Sequence, residues 1–166
     1  MTEPPVDLNL FVVFTLDELF YGIRLPDVVR VLRAVEITPL PNAPPIVMGI
    51  INLGGRIIPV VNVRRRFRLP EREQELSDQL IVAKAVWHDS HEDGGRLLAL
   101  AADTVVGVRE IPAQDTTSAA TILPGLEYLE GVARTDEGLI LIHDLGTFLS
   151  LEEEKVLRVI MPVSAQ

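Results

Sequence analysis

The sequence contains no cysteine. It therefore has no disulfide framework, no thiolate nucleophile and no cysteine-ligated zinc site. Aromatic residues are also scarce, at 5% of 166 residues, while hydrophobic residues reach 48%. A core must then be built mainly from valine, isoleucine and leucine, and branched side chains of this kind favour strands because they suit a pleated surface. The length predicts about one domain, or two small ones that share a core.

Positive charge is in deficit, with a formal net charge of -9 and a pI of about 4.8. A nucleic-acid binder would need a basic face, so we expect no nucleic-acid partner. No apolar run approaches the roughly 20 residues of a membrane-spanning helix. The acidic residues 1–7 do not form a secretory signal. We therefore expect no direct insertion into a membrane.

The most patterned stretch covers residues 49–67, where two apolar runs flank an Asn/Gly turn at residues 52–55. Two β runs joined in this way predict a hairpin. Pro59 lies inside the second run and cannot donate a hydrogen bond, which predicts an edge strand or a strand that starts after the proline. Gly49, Gly55 and Pro59 are predicted to shape this turn structurally.

Other apolar runs are bounded by turn residues and predict further strands. They lie at 10–16, 19–25, 28–37, 79–86, 97–102, 104–111, 128–134 and 138–145. Ser150 with Glu153 three residues later forms a capping box, which predicts a terminal helix at 150–160. Residues 1–7 and 161–166 are predicted to be tails.

The chain carries an internal repeat. The pattern Leu25-x-x-Val28-Val29-x-Val31 recurs 77 residues later as Ala102-x-x-Val105-Val106-x-Val108. The pattern of residues 49–63 recurs 82 residues later at 131–145. Chance similarity between apolar strands is the alternative explanation. Otherwise two similar β modules are expected, at about 10–78 and 79–149, with exchange of strands between them possible.

Several short patterns follow one another in a familiar order and cover nearly the whole chain, from about residue 11 to 157. They are Tyr21-Gly22-Ile23, a Val-rich strand, a Pro-rich loop, Gly49, Asn52-Leu53, Gly55, Pro59-Val60 and Tyr128-Leu129-x-Gly131. In this order they resemble the CheW family of bacterial chemotaxis coupling proteins. The resemblance implies one all-β domain over residues 1–166, made of two five-stranded SH3-like β-barrels with a shared apolar core, to which the short C-terminal helix is added.

The resemblance also implies a function. Members of the family have no catalytic activity and need no cofactor. They bridge the cytoplasmic tips of methyl-accepting chemoreceptors to the histidine kinase CheA, whose C-terminal regulatory domain has the same fold. We therefore expect a cytoplasmic scaffold that is recruited to membrane receptor complexes.

The residues expected to bind the receptor or the kinase are Val28, Arg30, Asn52, Gly54 and Arg56. The family usually has glutamate in place of Arg30 and arginine in place of Gly54, and aspartate in place of Asn62. The departures at Arg30 and Gly54 change the charge of the contact surface, and charge governs the choice of partner more than affinity. A divergent coupling protein of a pilus or other non-flagellar pathway is therefore an alternative.

Two polar stretches offer other chemistry. The residues 88–93 contain two histidines and three carboxylates, which could serve a small metal-dependent enzyme, but a hydrophilic turn has the same composition and no metal is expected. His143 and Asp144 are adjacent on a strand and point to opposite faces, so they do not form a catalytic dyad.

The basic run 64–68 is expected to be a solvated helix, with Phe67 in the core and a carboxylate partner for Arg64.

Overall fold

The computed structural model describes residues 9–33, 35–85, 96–122 and 128–160. Strands dominate these ranges. They are β1 (Leu10–Leu16), β2 (Leu19–Arg24), β3 (Val28–Arg33), β4 (Val47–Leu53), β5 (Arg56–Val61), β6 (Gln79–Ala85), β7 (Arg96–Ala102), β8 (Thr104–Glu110), β9 (Thr116–Ser118), β10 (Leu129–Thr135) and β11 (Gly138–His143). The α-helices are α1 (Val63–Arg66), α2 (Ala119–Ile122) and α3 (Leu151–Ile160).

Helix α3 forms where the capping box predicts it. The Ser150 hydroxyl accepts a hydrogen bond from the Glu153 N–H at 3.1 Å, and the Glu153 carboxylate accepts one from the Ser150 N–H at 2.8 Å. Two backbone donors at the start of the helix are thereby satisfied. Leu157 anchors the helix, because its side chain is fully buried in the core.

The strands form two mixed sheets, which confirms the all-β prediction. The six-stranded sheet has the order β8-β1-β2-β11-β10-β9, and the five-stranded sheet has the order β3-β6-β7-β5-β4. Each sheet contains one parallel pair, β2 with β11 and β5 with β7. The five-stranded sheet curls, because Thr38 after β3 exchanges two backbone hydrogen bonds of 2.8 and 2.9 Å with Ile50 of β4.

Each sheet draws strands from both repeats. The β1–β2 hairpin joins β8, β10 and β11, while the β6–β7 hairpin joins β3, β4 and β5. The exchange starts at the third strand of each repeat. A single 3-10 turn at Leu25–Asp27 carries the chain from β2 into β3, and Asp103 alone separates β7 from β8. The boundaries 10–78 and 79–149 therefore divide the repeats but not the sheets.

The apolar side chains follow this architecture. One cluster lies between the sheets and contains residues of both, such as Tyr21 and Leu100. A second cluster, with Ile58 and Val82, belongs to the five-stranded sheet, and a third, with Phe11 and Ile142, belongs to the six-stranded sheet. Each sheet thus encloses a core of its own and contributes one face to a shared core, as expected of two packed barrels.

Gly49 is not part of a turn, contrary to the prediction. It lies inside β4, where the register with β5 shifts as in a β-bulge. A Cβ atom at this position would lie 2.3 Å from the Thr38 carbonyl oxygen. Gly131 occupies the matching bulge of β10, and its Cβ atom would lie 2.6 Å from the Thr117 carbonyl oxygen. Both glycines are therefore required by the close approach of a crossing segment.

The prediction for Pro59 is also wrong. Strand β5 begins before the proline, at Arg56, and is an interior strand with β4 on one side and β7 on the other. The parallel pairing with β7 is confined to Val60 and Val61. It starts directly after Pro59, so the missing N–H of the proline interrupts no bond of that ladder.

The basic run is not a solvated helix, since Arg64 is buried and Arg66 is largely so. Arg64 does have carboxylate partners, because its Nη2 atom lies 2.8 Å from Asp17 and 2.7 Å from Asp103. Arg66 forms an ion pair with Glu153. Burial and internal pairing of this kind leave little positive charge for an external polyanion. Phe67 packs against the shared core, as predicted.

Candidate functional site

The predicted binding residues of the central hairpin lie together at its tip. Gly54 and Gly55 are the two central residues of the β4–β5 turn, with φ of 60° and 88°. Positive φ at both positions is typical of a type I′ hairpin turn. The Asn52 side-chain oxygen accepts a hydrogen bond from the Gly55 N–H at 2.8 Å and so stabilises the turn. Asn52, Gly54, Gly55 and Arg56 are all exposed.

Val28 and Arg30 lie on β3, an edge strand of the same sheet. Val28 is half-buried and packs against the shared core, whereas Arg30 is exposed. The β3–β6 register shifts between these two residues, which makes Val29 the extra residue of a bulge. A bulge re-aims the side chains around it, and Val29 is 47% exposed.

The structure does not bring β3 and the hairpin turn into one cluster. Arg30 lies opposite Val82 of β6. The ladders continue from Val82 to Ala99 of β7, and from there to Val60 of β5. Arg56 is four residues before Val60, or about 13 Å away at about 3.3 Å per residue. The predicted residues therefore form two patches, one on β3 and one on the turn.

Sequence reasoning missed an apolar component of the β3 patch. Val31 and Val35 are 37% and 40% exposed, beside the exposed Val29. We expected the valines of the apolar strands to be mostly core. Arg30 and Arg33 are three residues apart in β3, so each face of the strand carries one charge, and this is the sequence signal that neither face is fully buried. Exposed apolar side chains that adjoin one another mark interaction sites.

The ion pairs of the basic run, residues 64–68, distinguish arginines with a structural role from those that are free to contact a partner protein. Hydrogen bonds to Asp17 and then to Asp103 raise the pKa of Arg64 despite its burial. Burial favours the neutral form of Asp103, but hydrogen bonds from Arg64, from the Asp17 N–H and from Arg72 outweigh it and lower its pKa. This network stays ionised and ties the two sheets together, so it is structural.

The residues with candidate chemistry have structural surroundings. His143 is fully buried among aromatic rings, with centroids 5.1 Å from Tyr21 and 5.5 Å from Phe148. Burial lowers the pKa of His143 to about 3. The Asp144 carboxylate accepts a hydrogen bond from the Gly146 N–H at 2.9 Å and shapes the turn after β11. Neither residue is placed to act on a substrate.

The metal-site alternative at residues 88–93 lies outside the described residues. Within the ranges that the structure describes, no group of three or more histidine, cysteine or carboxylate side chains is arranged to hold a metal ion. Among the described helices, none is long and apolar enough to cross a membrane.

Comparisons with known proteins agree with the fold. The model of the CheW-like domain matches residues 10–153. The chain is 30% identical over 144 residues to "Chemotaxis protein CheW" of Treponema pallidum, covering 86% of this chain and 82% of that protein. It is 31% identical over 105 residues to "Protein FrzA" of Myxococcus xanthus, covering 63% and 61%.

A solved structure is similar in three dimensions. The scaffolding protein TtCheW from Thermoanaerobacter tengcongensis superposes with a TM-score of 0.76 at 30% identity, covering 87% of this chain and 94% of that one. The match covers most of both chains. The sequence pattern, the fold and these relatives together show that the chain belongs to the CheW-like family.

Proposed function

We propose that this protein is a non-catalytic scaffold of chemotaxis signalling, which couples chemoreceptors to a CheA-type histidine kinase in the cytoplasm. Its membership of the CheW-like family carries this proposal. The structure supports it, because the polar groups with candidate chemistry among the described residues serve turns, ion pairs or the core. Such a protein acts by holding partners in a defined geometry.

One partner is the regulatory domain of the kinase, which engages this protein through a mostly apolar contact between barrels. The other is the cytoplasmic tip of a methyl-accepting chemoreceptor. We assign the receptor contact to the surface around Val28, Arg30 and the turn from Asn52 to Arg56. The two patches differ in chemistry, since β3 is apolar and basic while the turn presents backbone and polar groups. The receptor contact therefore has two parts, and the kinase binds through a different surface.

Calorimetric titration with the regulatory domain of the chemotaxis-type kinase encoded nearest to this protein tests the proposal. We expect a Kd in the micromolar range, about -8 kcal/mol. Arg134→Glu, an exposed charge reversal on β10, serves as a control that should bind as the parent protein does. Absence of binding to that kinase and to every other kinase of this type from the same cell would contradict the coupling role.

A divergent coupling protein of a non-flagellar chemosensory pathway is the second candidate. Arg30 and Gly54 favour it, because both depart from the family pattern and both lie exposed on the proposed contact surface. Parallel titrations with the kinases of each pathway in the same cell distinguish the two, since the cognate kinase should bind more tightly.

A further inference from the structure

Strand β3 has an open edge. Among the described strands, β6 alone pairs with β3, so the other side of β3 carries backbone N–H and C=O groups without a ladder partner. Val29 and Val31 of β3 are exposed at 47% and 37%, and Val35, beyond the end of β3, is exposed at 40%. An exposed edge of this kind is a template for pairing with another strand.

The edge strand β3 also carries two positively charged side chains, those of Arg30 and Arg33. The exposed side chains of Arg30 and Arg33 have no ion pair or hydrogen bond with the residues that the structure describes. Other arginines of the protein are neutralised internally, such as Arg66 by Glu153 and Arg109 by Glu137. In a chain with net charge -9, a basic edge stands out from an acidic background.

The equivalent strand of the second repeat shows that the fold does not require this charge. Strand β8 lies at the edge of the other sheet. Val108, 77 residues after Val31, is likewise exposed, at 49%. The position equivalent to Arg33 is Glu110. The valine is thus shared by both edges. Strand β8 carries one arginine, Arg109, which pairs with Glu137, so unpaired positive charge belongs to β3 alone of these two described strands.

We propose that the open edge of β3 binds an extended acidic segment of a partner protein by strand addition. The backbone of the segment completes the β3 ladder, which supplies affinity. Side chains of an added strand alternate between the two faces. Arg30 and Arg33 are three residues apart in an unbroken register and therefore lie on opposite faces of β3. The segment meets both arginines with carboxylates three residues apart, and the apolar side chains between these carboxylates meet Val31. This inference rests on the proposed function, because it gives the chemistry of the partner for the same β3 surface.

The acidic background makes the choice of partner selective. A negatively charged segment is repelled by most of this protein and attracted at the β3 edge, and complementary charge of this kind suppresses wrong pairings and speeds encounter. The alternative is that Arg30, Arg33 and the bulge at Val29 only guard the edge against aggregation, which is how many proteins protect an edge strand. The two explanations predict opposite results with a defined peptide.

The probes are two synthetic peptides of equal length, one with glutamate at every third position and valine at the others, and the other with lysine in place of each glutamate. Each is titrated into the full-length, isotope-labelled protein and followed by amide NMR. We expect the acidic peptide to shift the resonances of residues 28–33 and to slow hydrogen exchange at alternate β3 amides. Its affinity should exceed that of the basic peptide at least about tenfold, since two exposed ion pairs contribute about 0.5–1 kcal/mol each.

Matched variants locate the effect. Arg30→Glu combined with Arg33→Glu should reverse the preference between the peptides. Val31→Glu should abolish binding of the acidic peptide, while Val108→Glu, the same change on the equivalent edge, should leave it intact. Equal binding of both peptides, no binding of the acidic one up to about 1 mM, or shifts without exchange protection would overturn the proposal, the last by indicating a helical rather than an extended partner.

The kinase titration separates the two proposals. If the kinase domain binds and the acidic peptide does not, the scaffold role stands and the strand-addition inference fails. If the acidic peptide binds β3 and no kinase does, the edge site stands and the coupling role fails.

Discussion

The Nη2 atom of Arg64 lies 2.7 Å from the carboxylate of Asp103. The same nitrogen lies 2.8 Å from Asp17. Asp17 belongs to the turn between β1 and β2 of the six-stranded sheet, whereas Asp103 sits where the chain leaves β7 of the five-stranded sheet. One buried guanidinium therefore joins the two sheets at the end of the shared core.

We expect Arg64→Ala to lower the free energy of unfolding by about 2–4 kcal/mol, because it removes one of the two arginines that pair with the partly buried Asp103. Arg65→Ala is the matched control, because Arg65 pairs with Glu71 on the exposed surface, and its effect should be within about 0.5 kcal/mol. Urea denaturation of the three proteins measures both effects. Equal losses in the two variants would refute the structural role of Arg64.

The Arg64 contribution should also depend on pH. The pKa of Asp103 is lowered in the folded protein, so its stabilising effect is present above the unfolded value of about 4 and is lost as pH falls through the folded pKa. The difference in stability between parent and Arg64→Ala should therefore be constant from pH 7 to about 5 and shrink below about pH 4. A difference that is unchanged at pH 3 would point to packing rather than charge.

His143→Leu should stabilise the protein. Its two ring nitrogens are buried without a hydrogen-bond partner among the described residues, and such groups are destabilising by about 1–3 kcal/mol. Leucine is of similar size and suits the aromatic surroundings. The expected gain at pH 7 is about 1 kcal/mol, measured by urea denaturation.

The same variant should change the response to acid. The unfolded histidine binds a proton below about pH 6.5, while the folded one does so only near pH 3, so the parent protein should lose about 2 kcal/mol between pH 6.5 and 5. His143→Leu should lack this slope. Val61→Ala is the control, because Val61 is the equivalent buried position of the first repeat and its loss lowers stability without altering the slope.

Gly49→Ala should be strongly destabilising. Its Cβ atom would lie 2.3 Å from a backbone oxygen of Thr38, which a rigid strand crossing cannot avoid, and we expect a loss of about 3 kcal/mol or more. Gly54→Ala meets open space and only incurs the penalty of its positive φ, about 1–2 kcal/mol. Thermal denaturation ranks the two. A milder effect at Gly49 than at Gly54 would contradict the tight crossing.

Arg30→Glu combined with Gly54→Arg restores the charges that the family usually carries. We expect this double variant to gain affinity for the kinase or receptor of a standard chemotaxis system and to lose affinity for its own, by about tenfold in each direction. Arg134→Glu controls for the change in net charge. Unaltered preference in paired calorimetric titrations would show that these two positions do not select partners.

Much of the fold was predictable from local signals. Short stretches of sequence predict the hairpin turn, the capping box at Ser150 and the strand pattern. The spacing of Gly49 and Gly131 reveals the repeat. The pairing of β3 with β6 was not predictable, because strand exchange leaves the same pattern within each repeat. The error at Pro59 has a similar origin. A proline lacks one backbone donor, but this does not make β5 an edge strand, because its pairing with β7 begins one residue later, at Val60.

The candidate site was predictable only in part. Arg30 and Gly54 were found from their departure from a family pattern, but the sequence could not show that they belong to separate patches, one on β3 and the other on the hairpin turn. The exposure of Val29 and Val31 depends on which strand ends at an edge, which is a long-range property. Likewise, the burial of Arg64 follows from Asp17 and Asp103, which lie far from it in sequence.

The exchange of strands has a consequence for how the chain can be divided. A cut between β5 and β6 would fall between the repeats, yet the first fragment would hold a hairpin of the six-stranded sheet with three strands of the other, and the second a hairpin of the five-stranded sheet with four strands of the other. Neither piece encloses a core by itself, so a truncated half cannot serve as a minimal module. Two co-expressed halves, by contrast, would have to associate and exchange strands to complete both sheets. A reporter divided between the two halves would therefore measure the assembly of this fold.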